Sequence, residues 1–222
     1  PVAASARVLR IGEARLTVVG PMQKEIAALR TKWLAWQKAD LKKKGDQKAT
    51  AALAAYLDKS VPNLSSLVVL VQEGERTALL TGDARGDKVL KGLEESGLLG
   101  KGESMKVDIL KLPHHGSVRN VADKFFDRIH ADHYIASGDG TYGNPDRETL
   151  LMLEKCRPQG GFTVHLTYPA ASCDETHKQW RARKSDPKEH YQPKRDAIAD
   201  VVERWRDEKR ITIKEGPVDF QV

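Results

Sequence analysis

Between residues 64 and 168 short apolar runs alternate with amphipathic stretches, and three of the runs stop abruptly at polar, chemically capable groups. "SSLVVLVQ", "RTALLTGDA", "VDILKLP", "HYIASGD" and "FTVHLTY" each have the length and the β-branched or aromatic content of a strand. Residues 86–97, "NVADKFFDRIH" and "NPDRETLLMLEKC" between them read as helices, the last with Asn144 as its cap and Pro145 at its first position. Strands that alternate with helices predict an α/β layered domain. Its functional groups are then expected where strands end.

The flanks are different. Residues 6–19 predict a hairpin turning near Gly12 and ended by Gly20-Pro21. From residue 22 to 57 the composition shifts to Ala, Lys, Leu, Gln and Glu, which predicts a helical hairpin broken at Gly45-Asp46. Trp33 and Trp36 read there as packing residues. The Lys-rich "DLKKKGDQK" reads as a solvated turn, with a nucleic-acid contact as the other reading. Beyond Pro169 the chain is polar and charged, with a helix expected at 194–209 and a strand at "RITIK". This divides the chain into a domain over 1–168, carrying the 22–57 insertion, and a charged extension over 169–222 packed on it.

Composition narrows the classes. No apolar run approaches the about 20 residues needed to span a bilayer, and no signal-peptide pattern is visible at the start. Cys156 and Cys173 offer no disulfide framework, so a reducing, cytoplasmic setting without membrane contact is the expectation. The 37 basic and 31 acidic residues leave a net charge of +6, which permits an anionic partner without demanding one. A start at Pro1 fits an excised domain, a processed product or one half of a larger polypeptide.

Three strand ends hold the chemistry. "LLTGDA" ends in Asp83, "LPHHGS" in His114, His115 and Ser117, and "SGDGTYGNP" carries Ser137, Asp139, Tyr142 and Asn144. A carboxylate with imidazoles suits Zn²⁺ or Mn²⁺, and paired metals of this kind can activate water against a phosphoryl or carbonyl group. Each piece also has an ordinary reading. Asp83 could cap a helix, the histidine pair could face solvent, and the third loop could simply be glycine-rich. His130, His133, His165, His177 and His190 show no ligand spacing and read as structural or surface groups.

Taken in order, "NLSSLVVLVQEGERTALLTGDA", "VDILKLPHHGS" and "HYIASGDGTYGNPDRETLLML" resemble the second half of a metallo-β-lactamase-fold hydrolase. The resemblance is to the branch found as the soluble domain of bacterial competence (DNA-uptake) channel proteins. It covers roughly residues 6–168 and implies the C-terminal half of an αββα sandwich, with the helical hairpin inserted. By that resemblance Asp83, His114 and His115 are metal ligands for two divalent ions, Zn²⁺ or alternatively Mn²⁺. Asp83 and His115 would be catalytic, and Asn63, Ser66, Ser117, Tyr142 and Asn144 would lie on the substrate side. Which histidine binds metal stays open.

Two departures qualify it. The His-x-His-x-Asp-His motif of the family is absent, since no histidine precedes His114, and "YGNP" carries Asn144 where the family has histidine. The implied protein is a metal-dependent phosphodiesterase or nuclease completed by an upstream half, in the same or a separate chain, with nucleic acid or a nucleotide as substrate. The alternatives are a catalytically degenerate binding or regulatory subunit and an ester or lactone hydrolase. A half-fold would leave one sheet face uncovered.

Overall fold

The computed structural model describes residues 8–42 and 65–219. The second helix expected before residue 57 and Asn63 lie outside them.

Eight strands form one sheet in strictly sequential order: β1 (Val8–Ile11), β2 (Ala14–Gly20), β3 (Val68–Glu73), β4 (Arg76–Leu80), β5 (Met105–Lys111), β6 (Ile129–Ala136), β7 (Phe162–Leu166) and β8 (Ile211–Glu215). The first four pair antiparallel, and each pairing from β4 to β8 is parallel. Among the described residues the α-helices are α1 (Gln23–Lys42), α2 (Gly86–Glu95), α3 (Asp123–Arg128), α4 (Arg147–Cys156), α5 (Ala170–Arg181), α6 (Pro193–Asp196) and α7 (Ala199–Glu208). This is an α/β fold with a mixed sheet. The expected hairpin is there, turning at Gly12 with Ile11 opposite Ala14.

Sheet and helices share one core. Val68, Leu70, Leu79, Leu110, Tyr134, Val164 and Leu166 are buried together with Val89 and Leu93 of α2, Phe125 and Phe126 of α3, Leu150 and Leu153 of α4 and Trp205 of α7. The charged segment beyond residue 169 is part of this body. Its β8 extends the sheet at β7, and Ile198, Val201, Val202, Trp205 and Ile211 belong to the core cluster. Arg204 grips Glu154 of α4 through two bonds of 2.7 Å each.

The alternate residues of the sheet are less covered. Leu16, Val71, Ala78, Ile109 and Ile135 are only half-buried, Leu80 is 43% exposed and every residue of β1 is exposed. An apolar sheet face this open is unusual in a completed layered domain, because parallel strands are normally covered on both sides.

Three expectations need correcting. The helix expected over "NVADKFFDRIH" ends at Arg128, because Ile129 and His130 pair with Met105 and Lys106 in the sheet. The terminal helix expected at 194–209 is two helices, separated at Ala197 in extended backbone. Asn144 caps nothing: α4 begins after Asp146, and the Asn144 side chain is engaged elsewhere.

His133 and His165 form a pair on neighbouring strands, with Nδ1 of the first 3.1 Å from Nε2 of the second. Burial pushes the His165 ring down to about 4, and the neighbouring His133 and Lys214 add to it. The unfolded chain protonates this ring near the ordinary value of about 6.5. Stability from the neutral ring is therefore fully present above that value and is lost as the pH falls toward 4, by on the order of 3 kcal/mol. Urea denaturation of wild type and His165→Asn at pH 7 and pH 4 checks this. The wild type is expected to lose more stability than the variant across that range.

Candidate functional site

The ends of β4, β5 and β6 lie side by side, since each is parallel to the next. What holds them together is largely backbone. Thr81 donates from Oγ1 to Lys111 O at 2.7 Å, and His114 N donates to Gly82 O at 3.0 Å. Gly82 takes φ +53°, and a Cβ there would lie 3.1 Å from Ser66 Cβ. The turn therefore favours glycine on both conformational and steric grounds. It delivers Asp83 to the top of the sheet. Asp83 is not a helix cap, since α2 begins only after Arg85.

After β5, Pro113–Gly116 form a single tight turn. His114 (φ 45°), His115 (φ 58°) and Gly116 (φ 88°) all occupy left-handed backbone. Two consecutive non-glycine residues there are costly, on the order of 1–3 kcal/mol each, and such strain concentrates at functional positions. The conformation aims the two rings in different directions, with centroids 6.0 Å apart.

Each ring is oriented by a partner. His114 Nδ1 lies 3.0 Å from Asn120 Oδ1, while the Asn120 amide donates to Asp83 O at 3.2 Å. With the Asn120 oxygen as acceptor, His114 carries its proton on Nδ1. His115 Nδ1 lies 2.9 Å from Ser137 Oγ at the end of β6, and His115 Nε2 lies 3.4 Å from Asp83 Oδ1. Asp83 and His115 are thus the pair that the fold brings together. Burial lowers the proton affinity of His115, the Lys111 charge adds to this, and Asp83 opposes it.

Lys111 reaches this junction from inside. Its ammonium donates to Gly82 O at 2.9 Å and Leu112 O at 3.1 Å, bracing both strand ends. Burial lowers its pKa, with Asp83 opposing. Sequence reasoning passed over Lys111 and Asn120, and named Ser137 only as one of the polar groups at the third strand end. The one available signal was a lysine inside the apolar run "ILKLP".

The remaining expected residues divide. Ser66 Oγ accepts from Asp83 N at 3.2 Å, so it supports the carboxylate's backbone. Asn144 donates from Nδ2 to His114 O at 3.2 Å, holding the strained turn from the 137–146 loop. Ser117 is 7% exposed, in a turn where Val118 N donates to Asp146 Oδ2 at 2.8 Å, and so does not face a substrate. Burial raises the pKa of Asp146, which these contacts oppose. Tyr142 is 73% exposed at the loop's tip.

The donor set tests the metal expectation. Two donors on adjacent corners of a tetrahedral zinc, with Zn–N and Zn–O lengths of about 2.0–2.2 Å, lie roughly 3.4 Å apart. The Asp83–His115 separation of 3.4 Å fits two such corners. Among the described residues no group of three or more His, Cys, Asp or Glu side chains could hold a metal ion. Asp83 and His115 fit a metal as part of a ligand set. They do not complete one.

No family model matches the chain, and no solved structure matches it. Microtubule-associated protein 1A of Rattus norvegicus is 30% identical over 82 residues, and that of Mus musculus is 30% identical over 80. Each match covers 36% of this chain and 3% of the relative, so the chain spans a small fraction of the curated relatives it matches. No helix among the described residues is long and apolar enough to cross a membrane.

Proposed function

We propose that this chain is the carboxylate-and-histidine half of a metal-dependent hydrolase centre of the metallo-β-lactamase type, acting on phosphodiester bonds in the cytoplasm. The observation that carries the reading is the approach of His115 Nε2 to Asp83 Oδ1 at 3.4 Å, with the ring's other nitrogen fixed by Ser137. A carboxylate facing an imidazole whose far nitrogen is oriented by a hydrogen bond is the ordinary preparation of a metal ligand pair. The half-open apolar face of the sheet supports a complementary upstream segment, which would bring the remaining ligands.

When bound, paired Zn²⁺ or Mn²⁺ ions supply Lewis acidity toward a phosphoryl oxygen and activate water. The chain's own residues do the rest. Asp83 and His115 would hold the ions, and His114, its ring turned to Asn120, would shape the turn beside them. Ser137 and Asn120 fix the two rings, and Lys111 holds a positive charge near the anionic substrate while tying the two strand ends. Burial shifts His115 toward the neutral ring, the form that ligation requires.

The test is metal content and hydrolysis in the protein together with the segment encoded upstream of Pro1. About two Zn²⁺ per chain and cleavage of a bis-aryl phosphodiester are expected. A fully folded protein that takes up no metal sinks the reading. Ser137→Ala, which leaves the His115 ring unsupported, is expected to lower metal affinity about 10–100-fold, measured by competition with a chromogenic chelator.

A second reading is favoured by the incomplete donor set and by Asn144 in "YGNP". It makes the chain a non-catalytic binding module on the same scaffold. The curated relatives are named as microtubule-associated, which suits such a role. Metal-free, folded protein with no hydrolysis of phosphodiesters, esters or lactones would support it.

A further inference from the structure

Beside the Asp83–His115 pair stands a surface that the hydrolytic chemistry does not use. The 137–146 loop, which carries Ser137 and Asn144 to the two histidines, also holds Tyr142 out at 73% exposure. The Tyr142 ring meets Trp180 of α5 edge to face, with centroids 5.8 Å apart and planes at 77°. Lys184 Nζ lies 4.1 Å from the Trp180 ring centroid, and the Arg181 guanidinium carbon lies 5.8 Å from it. His177, tilted 34° to Trp180 at 6.0 Å, continues the cluster to Tyr191 at 5.5 Å.

The arrangement is fixed rather than incidental. A Cβ at Gly143 would come within 2.9 Å of His177, so the loop lies directly against α5. The loop's two ends hold the strained histidine turn and its middle presents the tyrosine. Tyr142 follows Ser137 by five residues and precedes Asn144 by two, so braced backbone ties it to the histidine turn. Around the aromatics cations outnumber acidic groups, with Asp196 pairing Arg181 and Arg195. Residues 178–195 carry seven Lys or Arg against two acidic residues, Asp186 and Glu189. Lys178, Arg183, Lys188 and Lys194 are exposed.

An exposed ring backed by a second aromatic, ringed by cations and placed next to a hydrolytic centre, suits a strand with accessible bases and a charged backbone. Unpaired bases stack on such rings in a sequence-tolerant way, and Lys and Arg contact the phosphates. A duplex keeps its base faces covered and would use the cations alone. The geometry points to Tyr142, supported by Trp180 and flanked by the basic 178–195 segment, as the binding rim for single-stranded nucleic acid. This rests on the hydrolase reading above and names the form of its substrate.

The test uses the full chain with EDTA present, so binding is read without metal or turnover. Fluorescence anisotropy follows labelled 20-mers of dT and of rU and a 20-base-pair duplex at several salt concentrations. Binding of a single strand in preference to the duplex is expected, with either sugar or both. Tyr142→Ala is expected to weaken it about tenfold or more, with Tyr142→Phe close to wild type, because stacking contributes 1–3 kcal/mol per base. Lys184→Gln is expected to flatten the slope of log affinity against log salt by about 0.7. Circular dichroism confirms that these exposed variants fold. Equal affinity for duplex, no effect of Tyr142→Ala, or no binding at all overturns the rim. None of those outcomes touches metal uptake by Asp83 and His115, so the two readings fail separately.

Discussion

On the proposed hydrolase reading, replacing Asp83 by alanine is expected to remove metal uptake and to lower phosphodiester hydrolysis by well over a hundredfold. The argument starts from a single oxygen. Asp83 Oδ1 is the acidic group placed against His115 Nε2, and without it the imidazole alone remains on that side. Loss of a mere orienting partner costs about 10–100-fold at metal sites. Loss of a ligand that also supplies negative charge must exceed that. The fold should survive, because the Asp83 side chain is 37% exposed and the turn is held by backbone contacts to Ser66 and Asn120. Metal content by atomic emission, hydrolysis rates and urea denaturation of the same preparation check it. A variant that binds metal like the wild type would exclude Asp83 from the centre.

The second large effect is structural. Gly140 sits at φ +84°, and a Cβ there would lie 2.2 Å from Cys173 O and 2.5 Å from Cys173 Cα. Both atoms are backbone of α5 and cannot rotate away. Gly140→Ala therefore adds left-handed strain of about 1–3 kcal/mol to overpacking of about 1–3 kcal/mol. The expected loss of unfolding free energy is about 2–6 kcal/mol, read from the urea midpoint. Gly161→Ala is the matched control. It has φ +76° and nothing within 4 Å, so it should cost only the conformational part. Because Gly140 N donates to Asn144 O at 3.1 Å, displacing this loop also disturbs Ser137 and Asn144. Metal affinity in Gly140→Ala should fall along with stability. Equal stability in the two variants would mean that the loop does not pack on α5.

Much of the sheet was legible because its strands are apolar runs bounded by glycine and proline, and periodicity reports burial directly. The same signal located Asp83, His114 and His115, which lie where such runs stop. Element ends were less legible. Ile129 and His130 look helical beside Phe125 and Phe126, yet strand pairing with β5 takes them. Asn144-Pro145 has the composition of a helix start, and tertiary contact with the His114 carbonyl decides otherwise. The supporting groups were not legible at all. Nothing local distinguishes Asn120 from any loop residue, and Ser137, though visible at a strand end, shows its role only when separate strand ends converge. Nor does a sequence disclose that His114 and His115 take backbone angles usually left to glycine.

The strictly sequential strand order bears on how this chain comes to be folded. Among the described residues each strand hydrogen-bonds its immediate neighbours in the chain, so no pairing waits on a strand made much later, apart from the long connections between β2 and β3 and between β7 and β8. Topologies dominated by nearby contacts close small loops first and fold quickly. The sheet can grow outward from β3–β6 as a zipper, with the two histidines set in place as soon as β4, β5 and β6 align. Any complementary segment then meets a prefabricated surface. On the proposed reading, an upstream segment of the same polypeptide would dock on this surface intramolecularly, at a rate independent of protein concentration.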